Sequence, residues 1–184
     1  MRVITSQFRG RRLLSPPDEA IRPTSDRARE ALFDIIEHGE PGLQGARFLD
    51  LFCGTGAVGI EACSRGATLV LLIENDPEAL RLARANLARI GAPPHVRLMA
   101  GDAARLGAAP QRFDLVFLDP PYRSGLALPA LAGLRGGWLA PGARTVVELA
   151  ARETLELADG FTVEQERRYG AARFVFLRPQ EHRP

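Results

Sequence analysis

Between Phe48 and Gly59 an apolar run, Phe48-Leu49-Asp50-Leu51-Phe52, passes without a spacer into Cys53-Gly54-Thr55-Gly56-Ala57-Val58-Gly59. A strand that turns through closely spaced glycines straight into a helix is the opening unit of a βαβ crossover. It commits the chain to a parallel sheet with helices packed against it. From Ala46 onward the rhythm repeats, predicting strands at 47–52, 68–73, 96–100, 113–118 and 145–149, with helices at 57–65, 77–90 and 126–134. Leu69-Val70-Leu71-Leu72-Ile73 and Leu115-Val116-Phe117-Leu118 do not alternate with polar residues, so they read as strands buried on both faces. The tail departs from the pattern. Segments 161–167 and 173–178 flank Tyr169-Gly170, which predicts an antiparallel hairpin on one sheet edge.

Upstream of the sheet, residues 2–14 alternate loosely and are expected to form a short hairpin turning near Gly10, ended by Pro16-Pro17. Thr24 or Ser25 is placed to cap a helix with Asp26 in its first turn. Ala28, Ala31, Leu32, Ile35 and Ile36 give that helix an apolar stripe, and Pro41-Gly42 is expected to stop it. A length of 184 residues favours one domain, with 1–40 as an N-terminal extension and 46–184 as the core.

Composition narrows the chemistry. All 24 positive side chains are arginine, so a lysine Schiff base and a P-loop lysine are both excluded. Two cysteines, Cys53 and Cys63, are too few for a disulfide scaffold and fit a reducing cytoplasm. No signal-peptide core follows Arg2, and the longest uncharged run, Ser124 to Leu134, is about half of the ~20 residues a spanning helix needs. The expectation is a soluble, cytoplasmic protein with no membrane contact. Charge is uneven: residues 1–29 hold seven arginines against three acids, a net +4 within a total of +2. A basic arm on a slightly acidic body points to a polyanion contact at one edge.

Gly54, Gly56 and Gly59 satisfy G-x-G-x-x-G at a strand–helix turn, and Glu74 lies 20 residues after Gly54, where a carboxylate can bind ribose hydroxyls. Taken alone, this pattern also fits a nicotinamide enzyme. Asp50 argues otherwise, because a carboxylate there would repel a pyrophosphate but can pair, directly or through water, with a cation such as an amino acid's ammonium group. Asp102 follows the third strand and Asp119 the fourth. Asp50, Glu74, Asp102 and Asp119 are therefore expected along one rim, at the carboxyl ends of parallel strands, where ligands bind in such sheets. His38, His95 and His182 are scattered, with no metal-ligand spacing, and no metal is expected. Cys53 lies in the glycine turn, Cys63 reads as a small core residue, and Trp138 is expected to pack ahead of the fifth strand.

These motifs, Asp50-Leu-Phe-Cys-Gly-Thr-Gly, Glu74, Gly101-Asp102-Ala103 and Asp119-Pro120-Pro121-Tyr122, resemble those of class I S-adenosylmethionine-dependent methyltransferases. One departure is visible: the common pattern has glycine where Phe52 stands, although Phe or Tyr is also familiar there among RNA methyltransferases. Asp-Pro-Pro-Tyr resembles the motif of enzymes that methylate exocyclic amino nitrogens of bases. Such an amine is a poor nucleophile, because its lone pair is delocalised into the ring. Asp119 and the Pro120 carbonyl can accept hydrogen bonds from it, favouring a pyramidal nitrogen, while the two prolines fix the turn. Tyr122 offers a stacking face worth roughly 1–3 kcal/mol to a flipped-out base. The same motif serves adenine and cytosine amines in DNA, but the chain's small size leaves no room for a separate target-recognition domain. A non-catalytic RNA-binding relative is the third alternative, and intact motifs argue against it.

Phe8-Arg9-Gly10-Arg11-Arg12-Leu13 and the segment from Arg22-Pro23-Thr24-Ser25-Asp26 to Phe33 narrow the resemblance to bacterial small-subunit ribosomal RNA guanine-N2 methyltransferases of the RsmD type, which act on guanine 966 of 16S rRNA. The resemblance implies a Rossmann-like α/β fold, a seven-stranded mostly parallel sheet in the order 3-2-1-4-5-7-6 with helices on both faces. It implies S-adenosylmethionine as cofactor, S-adenosylhomocysteine as its product, 16S rRNA as partner and a monomer. Asp50, Phe52, Cys53, Gly54 and Gly56 would hold the methionine end, Glu74 and Asn75 the ribose, and Asp102 with the Ala103 backbone the adenine. Asp119, Pro120 and Tyr122 would be catalytic. Arg9, Arg11, Arg12 and Arg22 would contact RNA phosphates, with Thr24 and Pro121 near the mouth of the site.

Overall fold

The structure, a computed structural model, describes residues 1–16 and 26–180. Seven strands form one sheet: β1 (Arg47–Leu51), β2 (Leu69–Glu74), β3 (Val96–Ala100), β4 (Phe113–Leu118), β5 (Leu139–Ala150), β6 (Phe161–Tyr169) and β7 (Ala172–Pro179). Their order is β3-β2-β1-β4-β5-β7-β6, as the resemblance implies. The first five strands run parallel, while β7 pairs antiparallel with both β5 and β6. The hairpin expected around Tyr169-Gly170 is therefore present. β5 starts earlier than its apolar run predicts, because Leu139 pairs with Phe113 across a register shift.

Four helices flank the sheet: α1 (Asp26–Glu37), α2 (Ala57–Ser64), α3 (Pro77–Arg89) and α4 (Ala127–Leu134). Asp76 starts α3 by accepting from Ala79 N at 2.7 Å, with Pro77 behind it and Arg89 in the last turn. Successive strand residues enter two cores. Phe48, Leu72, Phe117 and Val146 face one core with Phe33 of α1, Ile60 of α2 and Leu87 of α3. Leu49, Leu71, Val116 and Val147 face the other with Leu131 and Leu134 of α4. Trp138 belongs to this second core, stacked on Phe113 at 6.0 Å and donating through Nε1 to Gly107 O at 3.0 Å. No helix among the described residues is long and apolar enough to cross a membrane.

The N-terminal arm differs from expectation in detail. Arg2 pairs antiparallel with Arg12, but the reversal is a wide loop made by a 3-10 turn at Ser6–Phe8 and by Gly10 at φ 80°. Buried polar side chains of the core hold this loop. Glu61 accepts from Ile4 N and Thr5 N at 2.8 and 3.1 Å, and Ser64 Oγ accepts from Phe8 N at 3.0 Å. Val3, Phe8 and Leu13 enter the first core, so the arm shares its apolar interior with the sheet. Arg29, counted in the basic arm, is 1% exposed and donates to Arg2 O and to Asp26. Helix α1 ends at Glu37, ahead of Pro41-Gly42. The expected cap at Thr24 or Ser25 lies outside the described residues.

Candidate active site

The glycine turn is shaped by backbone that side chains disfavour. Phe52 sits at φ 59°, Gly54 at 54° and Gly56 at 77°. The departure at Phe52 thus falls on a left-handed residue, where glycine carries no penalty and phenylalanine costs about 1–2 kcal/mol. Its ring packs beside the second core, which offsets part of that cost. Gly59 has a different reason. A Cβ there would lie 2.1 Å from Leu72 Cδ2, so its absence lets α2 approach β2.

Four carboxylates end the strands on one face. Glu74, Asp50, Asp119 and Glu148 each stand two residues beyond Leu72, Phe48, Phe117 and Val146, which share the first core. Their strands are consecutive neighbours, β2-β1-β4-β5. Asp50 is 1% exposed, and its Oδ2 accepts from Gly59 N at 2.9 Å. Burial, offset by that bond and reinforced by Glu74, pushes its carboxyl up to about 8. Glu74 accepts from Gly54 N at 2.8 Å and from Asn75 N and Asp76 N at 2.9 and 3.0 Å, so one side chain ties the glycine turn to the start of α3. Asn75 is exposed beside it. Asp102 accepts from Ala104 N at 2.9 Å, shaping the turn after β3 around the buried Ala103. Cys53 is buried, and burial followed by the charges of Asp50 and Glu74 raises its thiol well above the usual range, against a nucleophilic role.

Asp119 is recessed but not sealed, and its N–H donates to Leu51 O at 3.2 Å. Burial, then Glu148, Asp50 and Glu74, hold its carboxyl far above the usual carboxylate range. Pro120 is buried, Pro121 exposed, and Tyr122 is 42% exposed with its hydroxyl donating to Glu148 Oε1 at 3.4 Å. Glu153 clamps the loop by accepting from Arg123 N at 2.7 Å and from Ala150 N at 3.3 Å.

Sequence reasoning missed Glu148, Glu153 and Asn86. The signal for Glu148 was a charge inside Val146-Val147-Glu148-Leu149; only the register of β5 with β4 brings it beside Asp119. Asn86, fully buried, accepts from Leu14 N at 2.7 Å and donates to Thr55 O at 3.0 Å, joining the arm to the glycine turn. Arg9, Arg11 and Arg12 are exposed on the arm, although Arg11 Nη1 donates to Arg89 O at 2.6 Å and its guanidinium lies 5.7 Å from the Phe8 ring. Arg22 and Thr24 lie outside the described residues.

Known proteins share this fold. The family model described as Conserved hypothetical protein 95 matches residues 1–178. The ribosomal RNA small subunit methyltransferase D of Escherichia coli K12 is 39% identical over 150 residues, covering 80% of this chain and 74% of the relative. Its namesake in Haemophilus influenzae is 31% identical over 92% of this chain and 89% of its own. The solved structure of yhhF from Escherichia coli superposes with a TM-score of 0.84 at 32% identity, covering 98% of each chain. With a family match along nearly all its length and relatives of 39% identity, the chain belongs to the ribosomal RNA small subunit methyltransferase D family and is a methyltransferase with a class I, Rossmann-like fold.

Proposed function

We propose that the protein transfers a methyl group from S-adenosylmethionine to the exocyclic N2 amine of a guanine, guanine 966, in 16S small-subunit rRNA, acting as a cytoplasmic monomer without a metal. The observation that carries this reading is the row of Glu74, Asp50, Asp119 and Glu148, three of them buried and Asp119 recessed at the head of an Asp-Pro-Pro-Tyr turn. A row of carboxylates forced together, with Asp50 raised to about 8, fits a ligand that brings positive charge. No side chain or backbone lies within 4 Å of a Cβ built on Gly54, which leaves room for a ligand over the turn.

When bound, S-adenosylmethionine supplies a methyl group on a sulfonium whose carbon–sulfur bond is ready to break. Asp50 and the turn from Phe52 through Cys53 and Gly54 to Gly56 would hold its methionine end. Glu74 and Asn75 would hold the ribose, and Asp102 with the Ala103 backbone the adenine. Tyr122 would stack the flipped base, with Pro121 at the mouth. Asp119 and the Pro120 carbonyl would accept from the amine and orient its lone pair, and the Asp119 carboxylate would receive the proton the amine releases once its N–C bond has formed and the C–S bond has broken. Most of the acceleration lies in that alignment. Arg9 and Arg12, with Arg11 and Arg22, would grip phosphates.

Incubating the protein with methyl-labelled S-adenosylmethionine and small-subunit RNA, free or within subunits, tests the reading. Label is expected in N2-methylguanosine, and Asp119→Ala is expected to slow transfer by about 10²–10⁴-fold with cofactor affinity largely kept. Label in another nucleoside, or in none, would overturn it.

A further inference from the structure

We propose that Glu148 selects guanine, by accepting the ring N1–H next to the amine that is methylated. The inference rests on the guanine-N2 reading above and adds the residue that sets its specificity. Leu118 pairs with Val147 in parallel register, so Asp119 and Glu148 follow at one level on adjacent strands. Glu148 is 2% exposed, on the same face of β5 as the core residue Val146, a costly place for a carboxylate. It meets the hydroxyl of Tyr122, whose ring stays 42% exposed. Both Glu148 and Asp119 lie close enough to Tyr122 to act on its hydroxyl, so in the proposed pose a base stacked on that ring turns its edge toward both carboxylates.

Two neighbouring acceptors match a base edge with two neighbouring donors. Guanine has one, the N2 amine beside N1–H. Adenine and cytosine place a ring acceptor next to their amines, and a carboxylate opposite that lone pair finds no proton. Asp119 and the Pro120 carbonyl serve the amine of any base; Glu148 serves only guanine. Its charge also weighs on Asp119, which is relieved when donors arrive.

The probe is 2-aminopurine, which keeps the N2 amine but replaces N1–H with an acceptor, built into the target position of the RNA by ligation. Wild-type protein is expected to favour guanine over 2-aminopurine by about 10³-fold or more in kcat/KM. Glu148→Gln retains an acceptor for Tyr122 and presents an amide donor to N1 of the analogue. It is expected to lower guanine turnover about 10²-fold and to narrow the preference at least tenfold, with calorimetric cofactor binding kept. Equal losses on both bases would assign Glu148 a merely structural role and overturn the inference. Wild-type protein accepting 2-aminopurine as readily as guanine would overturn it whether or not the variant folds. A wild-type protein that methylates guanine at some atom other than N2 defeats the underlying reading, and the inference with it.

Discussion

Asp50 combines two tasks at one residue. Its Oδ2 fixes the start of α2 through Gly59 N, yet its charge is buried beside Glu74. The folded carboxyl titrates at about 8 against an ordinary value of 3.8, so between those limits the folded state holds a proton that the unfolded chain releases. The stability this proton provides is fully present below about pH 4 and is lost as pH rises to about 8. Asp50→Asn keeps an acceptor for Gly59 without the charge. In cofactor-free protein it should melt with wild type near pH 4 and above it near pH 8, while binding S-adenosylmethionine more weakly. A melting difference that does not grow with pH would contradict this. Glu74 and Asp119 were legible because each ends an apolar run beside a recognisable turn, and Asp50 because it stands four residues ahead of the first turn glycine. Glu148 was not, since a charge within Val-Val-Glu-Leu reads as the wet side of an alternating strand until its neighbour is known.

At the scale of elements, the turn between β1 and α2 was legible because glycine spacing encodes close approach directly. Gly59 supplies the test. Gly59→Ala would drive a methyl into Leu72, which is fully buried, and press on Asp50. A loss of about 1–3 kcal/mol in denaturant unfolding is expected; an unchanged midpoint would show that α2 shifts freely. The arm was read less well. Its alternation pointed to a short hairpin turning near Gly10, and the antiparallel pairing is there, but the loop's shape comes from Glu61, Ser64 and Asn86, which lie more than fifty positions away from their partners along the chain. No local pattern can reveal that a helix Asn bonds Leu14 on one side and Thr55 on the other. Arg29 shows the same limit: counted as basic surface, it is a core side chain bonded to Arg2 O.

For the whole molecule, the near-neutral total charge conceals a division between an acid-lined crevice and an arginine arm on the same face of the sheet. Arginine suits the arm because its planar fork binds phosphate bidentately and stacks on bases. Arg11 is already occupied by Arg89 O, so Arg9 and Arg12 carry the prediction. Replacing both by Gln should weaken RNA binding and flatten its dependence on log salt by roughly one unit per arginine. An unaltered slope would place the RNA elsewhere. The sheet order was legible through resemblance and the edge hairpin through its strands around Tyr169-Gly170, whereas the docking of the arm required the folded chain. The central claim concerns the cell's RNA. Mass spectrometry of small-subunit rRNA nucleosides, from cells with and without this protein, should find N2-methylguanosine at guanine 966 only when the protein is present; an unchanged methylation pattern in its absence would contradict the account.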